Sequence, residues 1–434
     1  MTQVVANWAG LEQCRPSRIE RPQGTDELVA AVKAAERDGL PVRAIGAGHS
    51  FTGAAMTDGV LLRLDRHAGL VSADRASGRV TVEAGMLLEQ LNPLLDQLGL
   101  ALSNLGDIDR QSVAGAISTG THGTGARLGG LASQVVGLEL VLADGTVVAC
   151  SADTEPELFA FARVSLGALG LVSTVTLQCE PAFALHAQER PMPLAEVLDR
   201  LDELVEDNEH VEFYWWPHTG TTLTKRNNRL AAGEVPEPLS PRRAWLEDEL
   251  MTNTVFGQLC RLGRRVPAVV PQVNRLAARL MGDRDFSDAS HRVFCSPRRV
   301  RFAEMEYAVP RAEVAEALRG VQRVVELGPA PVSFPVEVRF TAADDIPLST
   351  AYGRDTAYLA VHMFQGVPYE WYFRGVEAVL AGLGGRPHWG KLHFLDAAGL
   401  RPRYPRFDEF VALRDRLDPA GRFANDYLDR VLGR

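Results

Sequence analysis

Between Ser112 and Gly125 the chain reads Ser-Val-Ala-Gly-Ala-Ile-Ser-Thr-Gly-Thr-His-Gly-Thr-Gly, small and hydroxyl-bearing residues alternating with four glycines. So much missing side-chain volume means that backbone must lie close against something, and a bound ligand is the reading that accounts for it. A second stretch of this kind, Ile45-Gly46-Ala47-Gly48-His49-Ser50-Phe51, follows the β-rich run Leu40–Ile45. There a strand delivers two glycines whose N–H groups can approach a diphosphate. Neither stretch is a common nucleotide loop. A dinucleotide fingerprint would put a third glycine where Phe51 stands and run on into a helix, whereas Gly53, Asp58 and Gly59 break the chain here, which disfavours a nicotinamide-binding domain. No Gly-Lys-Ser/Thr closes the longer stretch, so triphosphate chemistry is not implied.

The length of 434 residues exceeds what one hydrophobic core usually organises and suggests two packed domains. With 46% hydrophobic and 23% charged residues, the composition is that of a soluble globular protein. A formal charge of -9 repels phosphate backbones, so nucleic acid is excluded as a partner. Cys14, Cys150, Cys179, Cys260 and Cys295 are scattered and form no C-x-x-C pair, so neither a metal site nor a disulfide framework is expected, and a reducing cytoplasm fits. The N-terminus carries no targeting pattern, and no window reaches the ~20 apolar residues of a membrane span. Arg261 to Arg284 is basic and roughly amphipathic, but Pro267 and Pro271 interrupt its apolar stripe, so a solvated helix is favoured over a membrane-surface helix.

The periodicity is α+β. Thr25-Asp26-Glu27 reads as a helix start, Leu28, Ala31, Val32 and Ala35 bury one face, and Gly39 stops it. Strands are expected at Val60–Leu64, Arg79–Glu83, Val135–Leu142, Thr146–Cys150 and Leu171–Cys179, with a hairpin at Ala143-Asp144-Gly145 and a helix over Leu87–Leu98. Past Ala182 longer helices and aromatic clusters are expected, with strands at Val300–Val309, Val332–Phe340 and Thr356–Phe364 and helices over Arg311–Leu327 and Glu370–Leu383. The boundary falls near residue 182, separating a first domain, 1–182, from a second, 183–434.

Two further sets of polar residues stand out. In Val336-Glu337-Val338-Arg339-Phe340 strand alternation puts Glu337 and Arg339 on one face; a surface ion pair and a site are both open readings. His388-Trp389-Gly390-Lys391 is a compact donor set after Gly384 and Gly385.

In this order the four stretches resemble the covalent-flavin branch of the vanillyl-alcohol oxidase family, in particular its aldonolactone and alditol oxidoreductases, and the likeness to sugar-lactone enzymes of the L-gulono-γ-lactone type is the strongest. The resemblance spans almost the whole chain. It implies a two-domain fold: an FAD-binding domain of two α+β subdomains, and a substrate domain with a mixed or antiparallel sheet flanked by helices, with segment 386–434 returning toward the flavin. Gly46, Ala47, Gly48, His49, Ser50 and Phe51 resemble the pyrophosphate loop, whose histidine, here His49, bonds the 8α-methyl of FAD. Ser112, Val113, Gly115, Ser118, Thr119, Gly120, Thr121, His122 and Gly123 resemble the second FAD loop. The Ser165–Val172 segment, with Gly170 and Val172, resembles the adenine contact, and Gly106, Asp107 and His388 join the flavin surroundings.

The implied chemistry is oxidation of a hydroxyl carbon of a sugar lactone or polyol, with oxygen or another molecule as final electron acceptor. A flavin taking hydride at N5 becomes an anion near N1, so a fixed cation there lowers the barrier, and Lys391 is the candidate. Arg339 would orient the substrate oxygen, and Glu337 would accept hydrogen bonds from neighbouring hydroxyls. Pairing with Arg339 should lower the Glu337 pKa and weaken it as a base, which leaves His362 as the alternative. Alditol oxidases carry a serine near the position of Asp107, which favours a lactone over a linear polyol. Gly106 occupies a position where the family varies a small residue that gates oxygen. Alditol oxidation, and flavin-dependent ligand binding without turnover, are the competing functions; visible flavin colour and its bleaching by substrate separate them.

Overall fold

The computed structural model describes residues 3–231 and 233–434. Val42–Ile45, Val60–Arg63 and Arg18–Glu20 form a three-stranded parallel sheet with Val60–Arg63 at its centre. The helix Thr25–Asp38 buries Leu28, Ala31, Val32 and Ala35 and ends at Gly39, whose φ of 67° is the left-handed value that a helix stop requires. A five-stranded antiparallel sheet follows in the order Val147–Ser151, Val135–Val141, Leu171–Gln178, Arg79–Glu83, Leu70–Asp74. The Asp144-Gly145 hairpin joins its first two strands, with Gly145 at φ 81°.

Beyond Ala182 the chain builds the expected antiparallel sheet flanked by helices, but with more strands than the pattern revealed: eight, in the order Arg284–Ala289, Ala184–Pro193, Thr221–Arg229, His210–Trp215, Val336–Thr341, Thr356–Phe364, Phe302–Pro310, Arg386–Pro387. Every pairing in it is antiparallel. One face carries Val211, Phe213, Trp215, Met305, Tyr307, Val336, Val338, Phe340, Leu359 and Val361 into a hydrocarbon core closed by the helices Val314–Leu327 and Glu370–Gly382. The other face is polar yet buried, an arrangement that governs the site described below.

A second, larger core joins the first two sheets to residues far along the chain. Leu28, Val60, Val82, Leu140 and Phe161 share it with Trp389, Tyr404, Phe407, Phe410, Phe423 and Val431. The C-terminal helices Phe407–Leu417 and Asp426–Leu432 thus pack among N-terminal strands. The basic stretch is two helices, Phe256–Arg265 and Val270–Leu280, with Pro267 and Pro271 at their junction. They bury Gly257, Cys260, Gly263, Val270, Asn274 and Ala278 while Arg261, Arg264, Arg265, Arg275 and Arg279 face water. Among the described residues no helix is long and apolar enough to cross a membrane.

One buried cation ties these parts together. Arg43, on the parallel sheet, donates to the carbonyls of Gly167 (3.0 Å) and Phe423 (2.8 Å), and also to those of Ala54 and Leu166. Burial pushes its pKa down to about 10, with Asp418 opposing, so it remains charged at neutral pH. Replacing Arg43 by Met should strand these carbonyls without donors and cost roughly 3 kcal/mol of stability, read as a lower urea midpoint; an unchanged midpoint would remove Arg43 from this role.

Candidate active site

Gly46–Ser50, Ser112, Gly115, Ser118, Thr119, Gly170 and Val172 line one cleft. Leu166 and Leu171 of the Ser165–Val172 segment join its wall, as do Asn7, Arg43 and Gln111, which were not foreseen. Val113 lies in the core beneath it, fully buried. Although the chain is acidic, no carboxylate lines the cleft among the described residues. The lining is hydroxyls, backbone, a single guanidinium and, around Ala44, Leu64, Leu171 and Val172, hydrocarbon. That donor set suits a diphosphate joined to an apolar ring, as FAD requires.

Not every glycine of the loops serves a ligand, which corrects the sequence-based reading. A Cβ on Gly46 would stand 1.9 Å from Ser112 Oγ, and one on Gly123 would stand 2.2 Å from both Asn104 Oδ1 and Leu105 O. At these positions the close approach is between protein segments. Gly48 and Gly120 are glycine for a different reason, their φ values of 71° and 77°.

The first loop is fixed from two sides. Trp8 N donates to Gly48 O at 2.8 Å, and the Trp8 ring stacks on His49 with centroids 5.7 Å apart. On the other side Phe51 N donates to Gly390 O at 2.7 Å and Thr52 Oγ1 to Trp389 O at 3.3 Å. A Cβ on Gly390 would meet Thr119 Oγ1 at 3.3 Å and Ser50 Oγ at 3.4 Å, so three of the four motifs converge here. Burial, helped by Lys391 and Arg110, depresses the His49 pKa to about 4, leaving a neutral imidazole at pH 7.

The Lys391 ammonium contacts the Glu304 carboxylate and lies 5.3 Å from the centroid of the Phe51 ring. Burial alone would favour the neutral amine, but Glu304 and Glu306 outweigh it and hold the pKa above the ordinary lysine value. Glu304 and Glu306 are two residues apart on Phe302–Pro310 and so share a face. Glu304 also reaches His362 Nε2 (3.4 Å), and Glu306 reaches His122 Nε2 (3.3 Å). His122 is stacked on Tyr358, with centroids 3.5 Å apart. Burial lowers the His388 pKa to about 4, and its Nδ1 accepts from Gly390 N at 3.0 Å.

Glu337 and Arg339 share a face as alternation requires, and both are 7% exposed, which rules out a surface ion pair. Arg339 contacts Glu337, donates from Nε to Glu212 at 2.8 Å, and lies 3.6 Å from Asp107. Arg298 holds Asp107 at 2.7 Å, and Lys225 lies 3.3 Å from Glu212. For Glu337 the expected pKa direction is overturned: burial, with Asp107 and Glu212 adding to it, raises the value despite Arg339. Asp107 and Glu212 go the other way. Burial opposes their charge, but Arg298 and Arg339 hold Asp107 low, and Arg339 and Lys225 hold Glu212 at about 2.

Glu212, Tyr214, Lys225, Arg298, Glu304 and Glu306 were missed from the sequence. For four of them the signal was present: polar residues at alternate positions of otherwise apolar strands, Glu212 and Tyr214 in His210–Trp215, and Glu304 and Glu306 in Phe302–Pro310. A Cβ on Gly106 would meet His122 O at 3.3 Å and Thr121 Cγ2 at 3.4 Å, a tight but open position beside this cluster.

Comparison with known proteins agrees with this geometry. The profile of the D-arabinono-1,4-lactone oxidase family matches residues 175–431. That of an FAD-binding domain matches residues 16–151. The chain is 46% identical to an L-gulono-1,4-lactone dehydrogenase of Mycobacterium tuberculosis, covering 100% of both chains. It is 36% identical to an L-gulonolactone oxidase of Bos taurus, over 98% of this chain and 97% of the relative. It is 33% identical to an alditol oxidase of a Streptomyces species, covering 100% of both. A crystal structure of cholesterol oxidase from B. sterolicum superposes with a TM-score of 0.83 at 19% identity, covering 100% of this chain and 97% of that one. This last likeness shows the fold, of the vanillyl-alcohol oxidase type.

Because a methyl group on Gly46 would collide with Ser112 Oγ, Gly46→Ala should purify with a several-fold lower flavin-to-protein ratio, measured by visible absorbance. A full complement of flavin would contradict the packing described for this loop.

Proposed function

Since this chain belongs to the D-arabinono-1,4-lactone oxidase family of FAD-dependent oxidoreductases, we propose that it oxidises a hydroxyl carbon of an L-gulono-γ-lactone-like sugar lactone. The observation that carries this reading is the bond from Phe51 N to Gly390 O, which seats the loop bearing His49 against the segment bearing Lys391. FAD, when bound, supplies the hydride acceptor and gains negative charge as it is reduced.

The residues of the chain do the rest. Lys391, kept charged by Glu304, provides a fixed cation beside the FAD loop, worth more in a buried site than in water. Arg339, oriented by Glu212 and Glu337, presents planar donors to the substrate oxygen. Glu337 bonds the hydroxyl or carbonyl next to the reacting carbon. His362 is a weak choice for the base, since its two ring nitrogens face Pro335 O (3.3 Å) and Glu304 (3.4 Å); it serves better as support for Glu304. His49, neutral at pH 7, is the residue through which FAD is tethered at its 8α position. Gly167, Gly170 and Val172, which line the same cleft, would hold the adenine.

An alditol is the second candidate, supported by the 33% identical relative. Asp107, held by Arg298 at 2.7 Å, stands near where alditol oxidases carry a serine, and this favours the lactone. All five cysteines are free thiols, which suits the reducing cytoplasm proposed for the enzyme.

Anaerobic addition of L-gulono-γ-lactone should bleach the visible flavin band faster than xylitol does, and admission of air or of an artificial dye would then identify the acceptor. Bleaching by xylitol alone would exchange the two readings. In Lys391→Ala the reduction rate should fall about tenfold or more while substrate Kd changes less. Acid precipitation should leave wild-type protein yellow and His49→Ala colourless; a yellow His49→Ala pellet would refute the tether.

A further inference from the structure

Tyr214 has one phenolic proton and two carboxylates to satisfy. Its Oη lies 2.9 Å from Glu212 Oε1 and 2.9 Å from Glu337 Oε1, and all three side chains are buried. Strand pairing fixes this geometry: Tyr214 stands opposite Glu337 and Glu212 opposite Arg339 in the ladder between His210–Trp215 and Val336–Thr341. A phenol can donate to only one acceptor. If both carboxyls were ionised, the second contact would set a phenol lone pair against a carboxylate in a dry site, with only the Arg339 guanidinium on the same Glu337 oxygen to offset it. The trio therefore needs a second proton, held on one of the two carboxyls.

Which carboxyl holds it follows from the neighbours. Glu212 accepts from Arg339 Nε at 2.8 Å and has Lys225 Nζ at 3.3 Å, two cations that keep it ionised. Glu337 has Arg339 alone in contact. The other charged or titratable groups acting on it are Tyr214, Asp107, Glu212, Arg298 and, from the neighbouring strand, His362, with Arg298 itself taken up by Asp107 at 2.7 Å.

We propose that Tyr214 donates to Glu212 and accepts from Glu337, so that Glu337 stands in the substrate site as a neutral acid and donates a hydrogen bond to a lactone oxygen. This deepens, and for its ligand rests on, the lactone reading. Tyr214 and Glu212 are then positioning residues, acting through Glu337. The burial that raises the Glu337 pKa works in the same direction. With Glu337 neutral, Arg339 keeps Glu212 and Asp107 as its anionic neighbours.

Infrared spectroscopy of the holoenzyme without substrate locates the proton. Wild type minus Glu337→Gln at neutral pH should show a carboxylic-acid C=O band that shifts down in D2O, and that band should move when L-gulono-γ-lactone is added. In Tyr214→Phe, which removes the acceptor for the Glu337 proton, the pH midpoint of the band should fall by about one unit or more. Glu212→Gln, which removes a neighbouring negative charge, should lower it too and serves if the Phe variant does not fold. Absence of the band in wild type, its persistence in Glu337→Gln, or an unmoved midpoint in both variants would overturn the proposal. A band that behaves as described in the free enzyme but ignores the lactone would leave the proton placement standing and count against the lactone as ligand.

Discussion

Burying charge on one face of a sheet whose other face is hydrocarbon is the constraint on which the site depends. Val336, Val338 and Phe340 belong to a dry core, so strand alternation forces Glu337 and Arg339 to the opposite side, which is also closed to water. A carboxylate or guanidinium there survives only with partners. The chain supplies them from four other strands and three loops: Glu212 and Tyr214, Lys225, Glu304 and Glu306, His362, then Asp107, Arg298 and Lys391. Removal of any one member leaves its partner uncompensated, which couples the fold of this sheet to the composition of the site.

The second half of the site is placed by backbone. The loop with His49 bonds to Trp8 on one side and to Gly390 on the other, while Arg43 holds the Leu166–Gly167 turn and Phe423 against the parallel sheet. C-terminal residues complete the N-terminal core, so the Lys391 segment is held by packing and does not hang from a flexible tail.

Much of the first 182 residues was legible because its strands alternate and its turns use Gly39 and Gly145 where positive φ is needed; the short edge strand Arg18–Glu20, the wholly exposed strand Leu70–Asp74 and the short helices Val113–Ser118 and Pro156–Ala162 carry no such pattern and were missed. The eight-stranded sheet was only partly legible. Ala184–Pro193 carries Pro191 and Pro193, and Thr221–Arg229 is mostly polar, so neither shows the apolar alternation that marks a half-buried strand. Their polar residues are accommodated by cross-strand partners that are distant in sequence, which no local pattern reveals. The same reason hid Lys225 and Arg298. It also reversed the pKa argument for Glu337, since pairing with Arg339 could be read from sequence whereas the depth of burial could not. Residues 46–50 and Ser112, Gly115, Ser118 and Thr119 of the glycine-rich stretches line the cleft whereas residues 120–125 do not, and Gly46 and Gly123 are small to fit Ser112 and Asn104.

The central claim is that a sugar lactone is oxidised where the Lys391 and Arg339 groups meet the flavin loop. A crystal structure of the holoenzyme soaked anaerobically with L-gulono-γ-lactone tests it most directly. The lactone should lie over the flavin ring with an oxygen within hydrogen-bond distance of both Arg339 and Glu337. Lactone bound elsewhere, or a flavin ring remote from Lys391, would contradict it.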